Sequence, residues 1–141
     1  MYSGVMIMRL ISDDGKRTVN VGGGDIWKAL YSTTVNCLGK KKKKYDLAFD
    51  FLQSGKCEGK NGYEVARQIN LIRDALAQVS PDKAVYDIDN PKLLAPWKDN
   101  LSPVVTSCAN MFTTADGQDL LFEIVSILCY AQVTKTNIVF E

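Results

Sequence analysis

The sequence contains no histidine, although its 141 residues include 17 lysines and arginines and 16 acidic residues. Histidine is the commonest general base in enzymes and the usual partner of a serine or cysteine nucleophile. Its absence excludes many catalytic designs, and no nucleophile–base pair can be assembled from the remaining motifs. We therefore expect a protein that is not an enzyme.

Closely spaced cysteine pairs are also absent. The four cysteines are Cys37, Cys57, Cys108 and Cys129. A zinc site built from four cysteines usually shows short paired spacings, so we expect reduced, unreactive thiols instead. The acidic residues near position 90 lack the glycine and the terminal glutamate of a calcium-binding EF-hand loop. These patterns predict no metal and no cofactor.

Long apolar runs are missing as well. Glu123 and Ser126 interrupt the longest apolar stretch, which is too short for a membrane span of about 20 residues. No basic segment precedes the apolar residues at the N-terminus, as a secretion signal would require. We expect a cytoplasmic protein without a membrane partner. Its length predicts one domain, residues 1–141, with a single core.

Charge is distributed unevenly along the chain. Residues 1–73 hold 13 basic and 7 acidic side chains, a net charge of +6, whereas residues 74–123 hold 3 and 8, a net charge of −5. Such an asymmetry can steer a partner of opposite charge towards one part of the surface.

The hydropathy pattern predicts a single α+β domain. A strand at residues 4–11, the turn Asp13-Asp14-Gly15 and a strand at 16–21 indicate a hairpin. A strand at 137–140 should join this hairpin in a small, mainly antiparallel sheet, with 84–86 as a further short strand. Four main helices should cover the sheet. They are predicted at residues 26–38, at 45–53, from Asn61 to 79, and at 117–133. The third helix has the clearest periodicity, which predicts a core face of Val65, Ile69, Ile72, Leu76 and Val79 and a solvent face that includes Gln68.

Several helix ends carry recognisable capping signals. Asp25 is the expected cap of the first helix, and Asn61 with Glu64 resembles a capping box. Asp116 or Thr114 is expected to cap the last helix. Ser102 and Pro103 suit the start of a short helix between the long ones.

Two segments allow an alternative function. The glycine-rich residues 22–25 precede a helix, but their spacing fits no phosphate-binding motif, so a sharp turn is the better interpretation. Five consecutive lysines, Lys40, Lys41, Lys42, Lys43 and Lys44, form what we call the lysine segment. It could bind nucleic acid, although the absence of interleaved aromatic residues favours a solvated loop.

A larger block carries a family resemblance. It comprises Trp97-Lys-Asp-Asn-Leu-Ser-Pro, then Thr106, Asn110, Phe112, Thr114 and Asp116-Gly-x-Asp-Leu. Together with the glycine-rich turn and the segment from Ser80-Pro81 through Asp87-Ile-Asp89, it resembles immunity proteins of bacterial polymorphic-toxin and contact-dependent growth inhibition systems, in particular immunity protein 70. The lysine segment departs from that pattern. The resemblance implies a small non-enzymatic inhibitor that binds the C-terminal domain of one cognate toxin in the cytoplasm.

The acidic part of the chain supplies the candidate contacts. A toxin that cleaves nucleic acid needs a basic groove, which an acidic surface can occupy. The predicted toxin-binding residues are Asp87, Asp89, Trp97, Asp99, Asp116, Asp119 and Glu123. The alternative for Trp97 is a place in the core, and for Asp99 and Asp116 a role in turns and caps.

Overall fold

The computed structural model describes residues 7–97 and 101–141, which form one antiparallel sheet and four main helices. The strands are β1 Ile7–Ser12, β2 Thr18–Gly23 and β3 Ile138–Phe140. The helices are α1 Gly24–Leu38, α2 Asp46–Ser54, α3 Gly62–Leu76 and α4 Leu120–Thr134. The predicted α+β class is confirmed. None of the helices in this part of the chain is long and apolar enough to cross a membrane.

The sheet has the strand order β2-β1-β3. Gly15, with a φ of 74°, closes the predicted hairpin, and its N–H donates to the Ser12 carbonyl over 2.8 Å. Leu10 lies opposite Val19 on one side and Phe140 on the other. The C-terminal strand therefore joins the hairpin, as expected. Residues 4–6 of the first predicted strand lie outside the described residues.

The core lies between the inner face of the sheet and the four helices. The predicted apolar face of α3 is confirmed for Val65, Ile69, Ile72 and Leu76, which are all buried, whereas Val79 lies beyond the end of the helix and is half-buried. Gln68 was expected to face solvent, and that expectation is wrong. The side chain is buried, since its Oε1 accepts the N–H of Ala48 over 2.9 Å and so holds the first turn of α2 against α3.

Two glycines allow α3 and α4 to approach closely. A Cβ at Gly62 would overlap the carbonyl oxygen of Leu128, and one at Gly59 would overlap that of Thr136. The N–H of Gly59 also donates to Oδ1 of Asn137 over 3.0 Å. The start of α3 is thus fixed to the end of α4 and to the residue before β3.

The caps predicted for α1 and α3 are wrong. Helix α1 begins at Gly24 without a side-chain cap, and Asp25 instead accepts the hydroxyl hydrogen of Tyr86 over 2.8 Å. Asn61 occupies the N-cap position of α3, but its side chain accepts no backbone N–H and the capping box does not form, because residues 59–61 make a 3₁₀ turn that leads directly into the helix. Glu64 accepts two hydrogen bonds from Arg67, which hold the pKa of this carboxyl at about 2.

The cap predicted for α4 is displaced by one turn. Asp119, rather than Asp116 or Thr114, accepts the N–H of Phe122 over 3.1 Å. The Thr114 hydroxyl donates to Asp116 and closes a separate turn. The short helix expected after Ser102 is a single turn, in which Val105 N–H donates to the Ser102 carbonyl over 3.0 Å.

The close approach at Gly62 predicts a steric penalty. Gly62→Ala should lower the free energy of unfolding by about 2 kcal/mol, because the new methyl group forces two backbones apart. Gly39→Ala is the matched control, since its Cβ would meet only Val35 Cγ1 at 3.8 Å in a helical backbone. Urea unfolding measures both variants. Equal stabilities for the two would contradict the packing described.

Candidate functional site

A long connector of 43 residues, residues 77–119, joins α3 to α4. In its described part the regular structure is limited to a 3₁₀ turn, Pro81–Lys83, and an isolated bridge between Thr113 and Asp119. Connections longer than about 15 residues without secondary structure are uncommon in compact domains and usually serve a function. The connector is therefore the first place to look for a site.

Buried hydroxyl groups on α1 hold the first half of the connector. The Thr33 hydroxyl lies 3.0 Å from the N–H and 3.2 Å from the carbonyl oxygen of Val85, and the Ile88 N–H donates to Ser32 Oγ over 2.9 Å. These side chains take the backbone bonds that a neighbouring strand would otherwise supply. The predicted strand at 84–86 is therefore wrong, because the segment pairs with a helix surface.

Backbone hydrogen bonds to the start of the connector, to β2 and to α4 hold the second half of the connector. Cys108 N–H donates to the Val79 carbonyl, Ala115 N–H to the Asn20 carbonyl of β2, and Leu120 N–H to the Phe112 carbonyl. Burial raises the pKa of the Cys108 thiol to about 12 and that of Cys57 to about 11. Both thiols are consequently protonated at neutral pH and poor nucleophiles.

Trp97 belongs to an aromatic pair at the centre of the connector. Its ring meets that of Tyr86 edge to face, with centroids 5.3 Å apart, and the indole is half-buried. Burial and the hydrogen bond to Asp25 raise the pKa of Tyr86 to about 12, so this phenol stays neutral and fixed. Trp97 is thus neither fully in the core nor free at the surface.

A cavity of about 140 Å³ lies beside this pair. Its lining is mainly apolar and includes Tyr86, Leu93, Leu94, Trp97, Met111 and Phe112. An apolar cavity of about this size can accept a molecule as large as benzene. Leu94 is 63% exposed and Leu93 46%, so both stand at its edge. The arrangement can receive one aliphatic or aromatic side chain of a partner.

Lys28 on α1 pairs with the two acidic residues that precede this cavity. Its Nζ lies 2.8 Å from Asp89 Oδ2 and 3.4 Å from Asp87 Oδ1, and the two carboxylates raise the pKa of Lys28. Asp87 also accepts the N–H of Asp89 over 2.9 Å. Both predicted site residues therefore have a structural partner that lies about 60 residues away in sequence, and one positive charge offsets part of their field.

The other predicted acidic residues are held by different elements. Asp116 is exposed in its turn, Asp119 caps α4 and lies 3.5 Å from the Arg73 guanidinium, and Glu123 is half-buried in the first turn of α4. Asp99 lies outside the described residues. The structure thus attaches Asp87 and Asp89 to α1, and Asp116, Asp119 and Glu123 to the start of α4.

Exposed apolar residues of the connector were missed by the sequence analysis. Leu93 and Leu94 are the main examples, and Val104 is 75% exposed. A signal was present, because two leucines stand between Pro91 and Pro96 in a segment that has no regular periodicity to bury them. Apolar residues in an irregular surface loop are candidates for partner contacts.

The lysine segment forms a 3₁₀ helix, Gly39–Tyr45, between α1 and α2. All five lysines are exposed, whereas Tyr45 turns into the core and stacks on Phe49. The solvated lysines agree with the sequence interpretation, although the segment is helical rather than a loop. Among residues 7–97 and 101–141, no cluster of three or more cysteine or acidic side chains could hold a metal ion.

Comparison with known proteins gives one result that bears on function. The family model of immunity protein 70 matches residues 11–140. No curated protein and no solved structure matches the chain. The matched region includes β2 and β3, all four helices, the last two residues of β1 and the whole connector with its cavity. Proteins of this kind are generally non-enzymatic and act on a protein toxin. From the extent of this match, the chain belongs to the immunity protein 70 family.

Proposed function

We propose that the protein neutralises the C-terminal domain of one cognate toxin in the cytoplasm by binding it through the connector. Family membership supplies the class of partner. The observation that carries the proposal is the apolar cavity, with two leucines at its edge and the Tyr86–Trp97 pair in its wall. A few aromatic and apolar anchors usually contribute most of the binding energy of a protein interface.

The fixed geometry of the cavity favours tight binding. The described part of the connector is bonded to α1, β2 and the ends of α3 and α4, so this part of its backbone does not need to be ordered when the toxin arrives. Ordering a loop during association lowers affinity, and a preformed surface avoids that cost. A side chain of the toxin can therefore enter a cavity that already exists.

The acidic residues are the basis for proposing one particular kind of toxin. Asp87 and Asp89 precede the cavity, while Asp116, Asp119 and Glu123 follow the connector into α4. A basic groove that binds phosphates would be attracted to such a surface. We propose a nuclease toxin whose active site is occluded. Lys28 offsets part of this negative charge and weakens the attraction. Trp97, Leu93 and Leu94 therefore supply affinity, whereas the carboxylates mainly increase the association rate.

Binding of nucleic acid through the lysine segment is the alternative function. The five exposed lysines would contact phosphates. Aromatic residues that stack on bases are typical of single-strand binding, yet Tyr45 is buried in the core. Affinity that falls steeply with salt and needs no protein partner would favour this alternative over toxin binding.

The cavity makes a first prediction for toxin binding. Replacing Leu93 and Leu94 together by Ser should weaken binding of the cognate toxin at least about tenfold, because two exposed anchors are lost. The melting temperature should change little, since neither side chain belongs to the core. Isothermal titration calorimetry measures the affinity.

Val133→Ser is the matched control, since Val133 is 67% exposed but lies on α4. It should bind the toxin as the unchanged protein does. If both variants bound equally well, the cavity would not be the contact surface. If the unchanged protein neither bound nor protected against the toxin, the proposed function itself would fail.

Electrostatic steering makes a second prediction, with opposite signs for neighbouring residues. Asp87→Asn with Asp89→Asn should slow toxin association, because this variant lacks two negative charges. Lys28→Met should speed association, because both carboxylates remain and the positive charge that offsets them is lost. Stability should change by less than about 1 kcal/mol, as is typical of exposed ion pairs. Stopped-flow kinetics at low and high salt provide the measurement. Equal rates for the two variants at low salt would exclude these carboxylates from the steering surface.

A further inference from the structure

A second pocket, with a volume of about 260 Å³, lies next to the cavity. Four residues line both of them and form a common wall, namely Trp97, Leu101, Met111 and Phe112. Met111 in this wall has a flexible and polarisable side chain, which can adjust to what either pocket receives. The connector therefore offers two adjoining apolar sites.

The cavity and the second pocket follow one face of α1. Ala29 lines the cavity, and Ile26 lines the second pocket. These two residues are three positions apart in the helix, so their Cβ atoms are about 5–6 Å from each other. Two side chains one turn apart on a helix, or at alternate positions of a strand, have a similar spacing. One continuous segment of a partner can thus fill both sites.

The rim of the second pocket carries two hydroxyl groups. Ser102 and Thr113 are both exposed, whereas the apolar residues Ile26 and Val105 are half-buried, and none of the described residues that line this pocket is charged. An aromatic side chain with a polar edge suits such a site, because its ring packs on the apolar wall while its N–H or O–H reaches a hydroxyl oxygen. The cavity, at about 140 Å³, suits a leucine or phenylalanine side chain.

We infer that one segment of the cognate toxin fills both sites with two apolar side chains about one helical turn apart, and that the second pocket takes a tryptophan or a tyrosine. This occupancy rests on the proposed function, and family membership supplies a protein toxin as the partner. Residues 77–97 and 101–119 contain five aspartates and two lysines. Basic residues should therefore flank the apolar pair in the toxin segment.

Binding of indole, which has the ring system of a tryptophan side chain, tests the second pocket without the toxin. In methyl NMR of the full chain, indole should shift the signals of Ile26 and Met111. Val105→Phe fills the pocket and should weaken indole binding at least about tenfold, because the new ring occupies the same space. Val104→Phe is the matched control, since Val104 is 75% exposed and lines neither pocket. It should bind indole normally.

Toxin affinity gives the second readout. Val105→Phe and Thr113→Phe should each weaken binding of the cognate toxin at least about tenfold, because the aromatic anchor no longer enters the pocket. Thr113 is exposed, so its variant should fold even if the half-buried position 105 does not tolerate a ring. Val133→Phe adds the same ring to the exposed surface of α4 and should bind as the unchanged protein does. Circular dichroism checks that each variant is folded.

Two results would overturn the inference. One is that indole leaves the signals of Ile26 and Met111 unchanged. The other is normal toxin affinity in the folded Val105→Phe and Thr113→Phe variants. If these two bind normally while replacement of Leu93 and Leu94 weakens binding, the toxin uses the cavity alone, so the proposed function stands without the second pocket. If the unchanged protein does not bind the toxin, the proposed function fails and the inference fails with it.

Discussion

The rest of the structure depends on the close contact between the start of α3 and the end of α4. Gly59 and Gly62 leave no room for a side chain against the carbonyl oxygens of Thr136 and Leu128. At the same junction the Asn137 side chain accepts the N–H of Gly59, and Cys57 and Ile138 form two backbone hydrogen bonds with each other. One junction therefore positions both helices and delivers β3 to the sheet. The two helices together contribute 11 of the 27 buried apolar residues in the described part of the chain.

The junction between α3 and α4 also fixes where the connector begins and ends. With α3 and α4 fixed, the 43 residues between them must leave one helix, cross α1 and β2, and return to a defined starting point at Asp119. Ser32 and Thr33 of α1 and the backbone of β2 bind the connector along the way. Residues 77–97 and 101–119 of the connector have little regular structure, yet their position is closely specified. An inhibitor that must match one toxin benefits from such a surface, since its residues can vary without disturbing the junction.

The sequence predicted the main elements because their apolar periodicity is long and local. The face of α3 and the hairpin at Gly15 are examples in which one short stretch decides the structure. The cap predicted at Asp25 was wrong because its carboxylate binds Tyr86, a residue that is distant in the sequence. Gln68 was placed in solvent because nothing local reveals that α2 needs its amide oxygen.

The candidate site was predicted only in part. Trp97 was named, and it does line the cavity. Buried Ser32 and Thr33 look like ordinary polar residues of a helix, so their hold on the connector could not be foreseen. The same applies to Lys28, which meets Asp87 and Asp89 only through the tertiary fold. The sign of the charge in this region follows from composition alone, but contacts between distant residues decide how much of that charge is offset.

The central claim is that the toxin binds the connector surface around the cavity. Hydrogen exchange of the protein, alone and with its cognate toxin domain, tests this most directly. Slower exchange should appear in residues 84–97 and 101–112, with little change in the lysine segment. Slower exchange confined to residues 39–45, or no change with an active toxin present, would contradict the account.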